Sequence, residues 1–223
     1  ESTGTIVGIT HWVIDTACEA AARWPEDVRI AVNISPAVMH SGGLADAVSA
    51  ALAKTGLEAD RLELEMTESV FLDDDSQTQD ILQTLRQLGP RMVLDDFGTG
   101  YSSLSYLRSY RFDGIKIDRS FMTGIAFSPE DQAIVRAVSL LADALDMEIV
   151  AEGIETEAQL EYARDAGIHN VQGFLMSEPQ SIATMTDMIL RNVTIPAAIA
   201  MRSTRLDKPP RAIARPQRRT ATG

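Results

Sequence analysis

The most informative part of the sequence is residues 92–104, which read Met92-Val93-Leu94-Asp95-Asp96-Phe97-Gly98-Thr99-Gly100-Tyr101-Ser102-Ser103-Leu104. An apolar strand ends in two adjacent carboxylates, which a glycine-rich turn and a hydroxyl-rich helix start then follow. Adjacent acids repel each other, and a divalent cation removes that repulsion. The stretch therefore predicts metal chemistry with oxygen ligands at the end of a strand.

Apolar segments of two kinds alternate on both sides of this stretch. Short β-branched or leucine-rich runs bounded by turn residues indicate strands, and segments with helical apolar spacing separate them. The strand candidates are 28–34, 61–66, 91–96, 114–117, 147–151 and 170–175, and the helix candidates are 6–23, 43–55, 74–88, 129–145 and 156–166. This α/β pattern predicts a parallel sheet, either open or closed into a barrel.

Polar side chains recur near the carboxyl ends of these strands, opposite the apolar face of each strand. In both kinds of parallel α/β fold, ligands bind at this edge of the sheet. The convergent set is Asn33, Glu65, Asp95, Asp96, Lys116 and Glu152, with Glu155 and Gln172 just beyond strand ends. Hard oxygen ligands select Mg²⁺ or Mn²⁺. Lys116 does not fit a ligand role and is expected to hold an attacking water or to neutralise phosphate charge.

Structural explanations compete for single members of this set. A lone aspartate at a strand end, such as Asp95 or Asp96, often caps the next turn. Glu65, taken alone, has an alternative explanation as a solvated edge residue, and Glu155 stands at a helix start, where the dipole favours an acid. The recurrence of polar residues at successive strand ends favours a shared site.

Charge and cysteine content argue against direct DNA binding and against an internal disulfide. The net charge is −12, and residues 181–223 hold eight Arg and Lys against two Asp, so residues 1–180 carry a charge of −18. An acidic body argues against direct DNA binding. The single cysteine, Cys18, in a helical segment, indicates packing in a reducing compartment, so a cytoplasmic location is expected. We expect residues 193–223, basic and interrupted by prolines, to form a disordered tail.

Six motifs follow one another along the sequence: VNIS (32–35), LEMTES (64–69), DDFGTGYSSL (95–104), IKIDRSF (115–121), AEGIET (151–156) and VQGF (171–174). Together they resemble the EAL domains, the bacterial cyclic di-GMP phosphodiesterases. The resemblance spans about residues 1–190 with matching order and spacing.

The resemblance implies a modified TIM barrel that uses two Mg²⁺ or Mn²⁺ ions to hydrolyse cyclic di-GMP to pGpG. The implied metal ligands are Asn33, Glu65, Asp95, Asp96 and Glu152. Lys116 is implied to orient the water, Glu68 to anchor the loop after Asp96, and Glu155 and Gln172 to support catalysis and binding. The family also implies a homodimer through this domain.

One departure from the family is the absence of its Glu-Ala-Leu triplet, whose Glu is a metal ligand. We therefore expect residues 1–192 to form an EAL-type barrel that is incomplete at its N-terminus, within a larger protein carrying sensory or GGDEF-type domains. The main alternative is a catalytically incomplete module that has a cyclic di-GMP-binding or regulatory role. A general metal-dependent phosphohydrolase in a related barrel is a third interpretation.

Overall fold

Strands and helices alternate along the computed structural model, which describes residues 3–71, 76–100, 107, 109–168 and 170–191. The strands are β1 (Ile30–Ile34), β2 (Leu62–Thr67), β3 (Arg91–Phe97), β4 (Gly114–Ile117), β5 (Glu148–Ala151) and β6 (Asn170–Val171). The α-helices are α1 (Thr3–Ala21), α2 (Pro36–Ser41), α3 (Leu44–Thr55), α4 (Ser76–Leu88), α5 (Arg119–Thr123), α6 (Pro129–Ala144), α7 (Glu157–Asp165) and α8 (Ile182–Leu190). Short 3-10 helices, Ala59–Arg61 and Glu68–Phe71, flank β2.

The strands of the described part form one parallel sheet in the order β1 to β6. Each strand pairs with the next strand in the chain, and the order never reverses. A doubly wound open sheet requires such a reversal, whereas the wall of a TIM-type barrel has none. The sheet is therefore part of an incomplete TIM-like barrel, which confirms the predicted fold class.

Ion pairs at the amino ends of the strands show that the sheet is curved. Arg29, directly before β1, bonds Glu63 on β2 at 2.6 Å and Glu148 on β5 at 3.0 Å. Arg91 on β3 bonds the same two carboxylates at 3.0 and 3.2 Å. In a flat sheet, four strand spacings would separate β1 from β5 by about 19 Å. The sheet must therefore curl for one arginine to reach β5.

The helices cover the convex side of this curved sheet and bury the apolar residues of each strand. Fully buried side chains include Leu62, Leu64 and Met66 on β2. On β1, Val32 and Ile34 are buried, while Ala31 and Asn33 on the opposite side are exposed. The strands thus present one face to the helical core and the other to the inside of the curve.

Cys18 lies fully buried in α1, which confirms its predicted packing role. Burial, and secondarily the charge of Asp15, raises the pKa of its thiol to about 11. No helix in the described residues combines the length and the apolar character needed to cross a membrane.

Several predicted boundaries differ from the structure. The sixth strand ends at Val171 instead of residue 175, because the chain turns at Gly173. A Cβ atom at Gly173 would collide with the backbone of Ile154, whose carbonyl accepts a hydrogen bond from the amide of Leu175 at 3.0 Å. Helices α2, α5 and α8 were not predicted. The predicted disordered tail, 193–223, and loop residues 101–104 lie outside the described residues.

Candidate active site

Three acidic side chains surround one buried ammonium group at the carboxyl ends of β2 to β5. The Nζ atom of Lys116 lies 3.0 Å from Glu65 Oε1, 3.3 Å from Asp95 Oδ1 and 2.6 Å from Glu152 Oε1. Lys116 is only 4% exposed, and Glu65 and Asp95 are also buried. The predicted residues on three neighbouring strands and after β5 therefore meet in one place.

The end of β3 explains how Asp95 and Asp96 approach the same site. In a regular strand, adjacent side chains point to opposite faces. The pairing of β3 with β4 shifts register between Leu94 and Phe97, and Asp96 has a φ of 53°, in the left-handed region. Aspartate tolerates this conformation better than most residues. The irregular backbone thus turns the second carboxylate towards the first.

Hydrogen bonds hold this strand end. Asp95 Oδ1 accepts a hydrogen bond from the amide of Asp96 at 3.0 Å. The carbonyl of Asp96 accepts from the hydroxyl of Thr99 at 2.9 Å and from its amide at 3.3 Å. The turn after the strand therefore fixes the two acids in place.

Glu68 connects the 3-10 helix after β2 to the same turn. Its side chain is buried, and its Oε1 atom accepts a hydrogen bond from the amide of Gly98 at 3.0 Å. A Cβ atom at Gly100 would lie only 2.9 Å from Glu68 Oε2, so the glycine allows the loop to pass close to this carboxylate.

Asp95, Asp96 and Glu152 fit a divalent cation. Each offers one carboxylate oxygen, and the three atoms lie within 4.8 Å of one another. Carboxylate oxygens are the ligands that Mg²⁺, Ca²⁺ and Mn²⁺ prefer. Together with Glu65, four carboxylates face the single positive charge of Lys116, so added cations would reduce an uncompensated negative charge.

Burial and the neighbouring charges shift the pKa values of the ionisable side chains in this cluster. Burial, opposed by Lys116, raises the pKa of Glu65, and the charges of Asp95 and Glu152 raise it further. Burial, again opposed by Lys116, also raises the pKa of Glu152. Burial and then the charge of Asp95 raise the pKa of Asp96. Burial alone would lower the pKa of Lys116, but the hydrogen bond to Glu152 and the neighbouring acids raise it above its ordinary value.

Three predicted site residues are exposed, one on β1 and two just beyond the ends of β5 and β6. Asn33 is the register partner of Glu65 across β1 and β2, and its side chain is exposed. Glu155 is exposed, and its amide donates to Gln159 Oε1 at 2.8 Å. Gln172 is exposed, and its amide donates to the carbonyl of Ala151 at 2.9 Å.

Two polar residues outside the predicted site set hold neighbouring segments, and of these Asp118 is expected from the sequence to be structural or solvent-facing. Asp118 caps α5 by accepting the amide of Ser120 at 3.0 Å, and its charge helps to raise the pKa of Asp96. Gln159 is 9% exposed and forms a capping box with Thr156. The spacing of Thr156 and Gln159 is the sequence signal that would have revealed the second.

A barrel wall with convergent carboxylates at its carboxyl edge defines a TIM-like protein with a candidate metal centre. Comparison with known families assigns it further: the EAL domain model matches residues 1–179. The chain belongs to the EAL domain family.

Two characterised relatives, both from Pseudomonas aeruginosa, share this region. The bifunctional diguanylate cyclase/cyclic di-GMP phosphodiesterase MucR is 43% identical over 183 residues, covering 80% of this chain and 27% of MucR. The cyclic di-GMP phosphodiesterase NbdA is 39% identical over 207 residues, covering 91% of this chain and 26% of NbdA. The chain thus spans about a quarter of the length of these relatives.

Solved structures agree with the fold. The MucR phosphodiesterase in complex with c-di-GMP has a TM-score of 0.78 and 42% identity, covering 82% of this chain and 76% of that one. The EAL domain of Mycobacterium smegmatis DcpA has a TM-score of 0.79 and 36% identity, covering 83% and 85%. A manganese/cy-diGMP complex of Klebsiella pneumoniae BlrP1 has a TM-score of 0.71 and 32% identity, covering 78% and 44%.

Proposed function

We propose that this chain is a cyclic di-GMP phosphodiesterase domain that hydrolyses one phosphodiester bond to give pGpG and uses two Mg²⁺ or Mn²⁺ ions. The observation that carries the proposal is the convergence of Asp95, Asp96 and Glu152 beside Lys116. The relatives MucR and NbdA are named for this activity, and BlrP1 has been solved with manganese and cyclic di-GMP, which supports the same assignment.

The carboxylates of this chain would hold the cations. Asp95, Asp96 and Glu152 supply the central ligands, and Glu65 and Asn33 extend the set along β2 and β1. Bound divalent cations supply Lewis-acid activation of water and stabilise negative charge on phosphate. The pKa values of Glu65, Asp96 and Glu152 are raised, so protons compete with cations for these carboxylates, and a bound cation would favour loss of those protons.

Lys116 and Glu68 complete the proposed machinery. With cations present, the Lys116 ammonium no longer has to compensate all the carboxylates, and it donates hydrogen bonds to the water or to the substrate phosphate. Glu68 keeps the turn after Asp96 in place through the amide of Gly98. Glu155 and Gln172, exposed at the same edge, are proposed to support catalysis and substrate binding from the rim.

The wider context is also a proposal. We propose a homodimer, supported by an apolar stripe on the exposed face of α6, where Leu140 is 72% exposed and Ala133, Ala137 and Ala144 are exposed at helical spacing. A fusion to a GGDEF-type or sensory domain is proposed from the bifunctional relative MucR. A cytoplasmic location is proposed from the single buried cysteine.

The test is incubation of the purified chain with cyclic di-GMP and Mn²⁺, with pGpG followed by chromatography. We expect pGpG to form, EDTA to stop it, and Asp95→Asn to abolish it. Asp165→Asn, an exposed change on α7, is the matched control and retains the wild-type rate. Turnover by Asp95→Asn at the wild-type rate would refute the metal assignment.

A second candidate is a cyclic di-GMP-binding module without turnover, because the Lys116 ammonium bonds two of the three carboxylates that a cation would need, Asp95 and Glu152. Saturable binding of cyclic di-GMP with no pGpG would select this candidate. Equal hydrolysis of unrelated phosphodiesters, without competition by cyclic di-GMP, would instead select a general phosphohydrolase.

A further inference from the structure

The buried amide of Gln159 connects two segments that leave the candidate site. Its Oε1 atom accepts hydrogen bonds from the amides of Glu155 at 2.8 Å and Thr156 at 2.9 Å. Its Nε2 atom donates to the carbonyl of Met122 in α5 at 2.9 Å. One side chain thus bonds to the segment after β5 and to the helix after β4.

These two segments carry the ammonium group and the carboxylate of the shortest ion pair in the cluster, between Lys116 and Glu152 at 2.6 Å. β4 holds Lys116 and leads into α5, while β5 leads into Glu152. Two other contacts join the same segments: the amide of Glu152 donates to the carbonyl of Ile117 at 3.1 Å, and Gly153 packs directly against Arg119. Gly153 has a φ of 67°, and a Cβ there would collide with the Arg119 side chain.

We propose that Gln159 is a positioning residue that holds Glu152 at the distance from Lys116 and Asp95 that cation binding needs, an inference that rests on the proposed function. Gln159 does not touch the cluster and acts through the backbone of residues 152–156. A side chain that fixes a ligand-bearing segment typically changes metal affinity or activity by about 10- to 100-fold when it is lost.

The chemistry of the amide separates this role from simple helix capping. A capping box at the start of a helix works with either Glu or Gln. A carboxylate at residue 159 would still accept from the amides of Glu155 and Thr156, but it has no proton to donate to Met122. Gln159→Glu therefore keeps the cap of α7 and replaces the bond to α5 with a repulsion between the new carboxylate oxygen and the carbonyl of Met122, which lies 2.9 Å from the amide nitrogen of Gln159.

The test measures Mn²⁺ binding to the purified full chain by the electron paramagnetic resonance signal of free Mn²⁺, together with kcat and KM for cyclic di-GMP. We expect Gln159→Glu to weaken Mn²⁺ binding about 10-fold and to lower kcat by about the same factor, with KM changed less than about threefold. The sign is informative, because an extra negative charge acting through charge alone would tighten cation binding.

Two controls isolate the bond to α5. Gln132→Glu makes the same chemical change at a partly buried amide that donates to the carbonyl of Ile125 at 2.8 Å, away from the cluster. Thr156→Ala removes the hydroxyl that caps α7 but leaves the three bonds of the Gln159 side chain. Both controls are expected to keep Mn²⁺ affinity within about twofold of wild type. Should Gln159→Glu not fold, Gln159→Met is measured in the same way; it loses the bond to Met122 together with the two bonds from the amides of Glu155 and Thr156, and its comparison with Thr156→Ala excludes a loss of capping by the hydroxyl.

The outcomes separate this inference from the proposed function. If the wild-type chain binds Mn²⁺ and Gln159→Glu binds it as well as Gln132→Glu does, the positioning role is wrong. An equal loss in Thr156→Ala would also overturn it, since capping would then explain the effect. If the wild-type chain binds no Mn²⁺ and forms no pGpG, the proposed function itself fails.

Discussion

Replacing Lys116 with methionine removes the ammonium group that lies among Glu65, Asp95 and Glu152. Methionine has nearly the same length and shape, so the change tests charge more than packing. The three carboxylates would then face one another and Asp96 without compensation. We expect the metal-free domain to lose stability, and added Mn²⁺ to restore most of it.

The expected loss of stability in Lys116→Met is large because the ion pairs of Lys116 are buried. Removing one partner from a buried ion pair typically costs about 3–5 kcal/mol, because the remaining charge is left uncompensated. Here the carboxyl groups can relieve part of this cost by taking up protons, since the pKa values of Glu65 and Glu152 are already raised. We therefore expect a loss of about 3 kcal/mol at a pH where the acids are ionised.

The loss of stability in Lys116→Met depends on pH, because Lys116 influences the pKa values of two neighbouring acids. Lys116 opposes the rise in the pKa values of Glu65 and Glu152, so removing it raises both values further. A folded state with raised carboxyl pKa values binds more protons than the unfolded chain, so its stability falls as the pH rises through those values. The loss in Lys116→Met is thus expected to be large at about pH 8 and small at about pH 5.

The assay is urea unfolding at both pH values, with and without Mn²⁺. Lys54→Met is the matched control, because Lys54 also bonds two acids, Asp15 at 2.8 Å and Glu19 at 2.7 Å, but on the surface. We expect little change for this control and no effect of Mn²⁺ on it. A Lys116→Met protein as stable as wild type at both pH values without metal would refute the electrostatic reasoning.

Further predictions test other parts of the account. Arg61→Met is expected to lower the free energy of unfolding by about 2 kcal/mol in urea titrations. The reason is that the buried guanidinium of Arg61 donates hydrogen bonds to the carbonyls of Ala21 at 2.8 Å and Val28 at 2.9 Å. A change below about 0.5 kcal/mol would contradict this prediction. Gly173→Ala is expected to reduce the melting temperature sharply, because the new methyl group would collide with the Ile154 backbone. An unchanged melting curve would show that the fold does not need the close contact between Gly173 and Ile154. The affinity for Mn²⁺, measured by calorimetry, is expected to rise with pH. The reason is that the pKa values of Asp96 and Glu152 are raised, so protons compete with the cation for these carboxylates. An affinity that does not change with pH would argue against these two residues as ligands.

Much of the fold could be predicted because its signals are local. Short apolar runs between turn residues located all six strands of the described sheet, and β4 was predicted with both boundaries correct. The preference of ligand sites for the carboxyl edge of parallel strands then placed Glu65, Asp95 and Lys116 together, and the structure has them in contact.

Other features depend on backbone detail that spacing does not contain. Strict alternation along β3 would send Asp95 and Asp96 to opposite faces, and only the left-handed conformation of Asp96 brings both to the site. The end of β6 depends on the contact between Gly173 and Ile154, which are distant in sequence. Helix α5 is too short to show apolar periodicity, and its signal is the capping side chain of Asp118.

The central claim is that Asp95, Asp96 and Glu152 hold divalent cations. The most direct measurement is the anomalous diffraction of crystals of this chain grown with Mn²⁺ and recorded at the manganese absorption edge. We expect strong anomalous density bounded by the oxygens of these three carboxylates, and we expect it to be lost in crystals of Asp95→Asn. Density elsewhere on the molecule, with Lys116 still bonded to all three of its acidic partners, would contradict the claim.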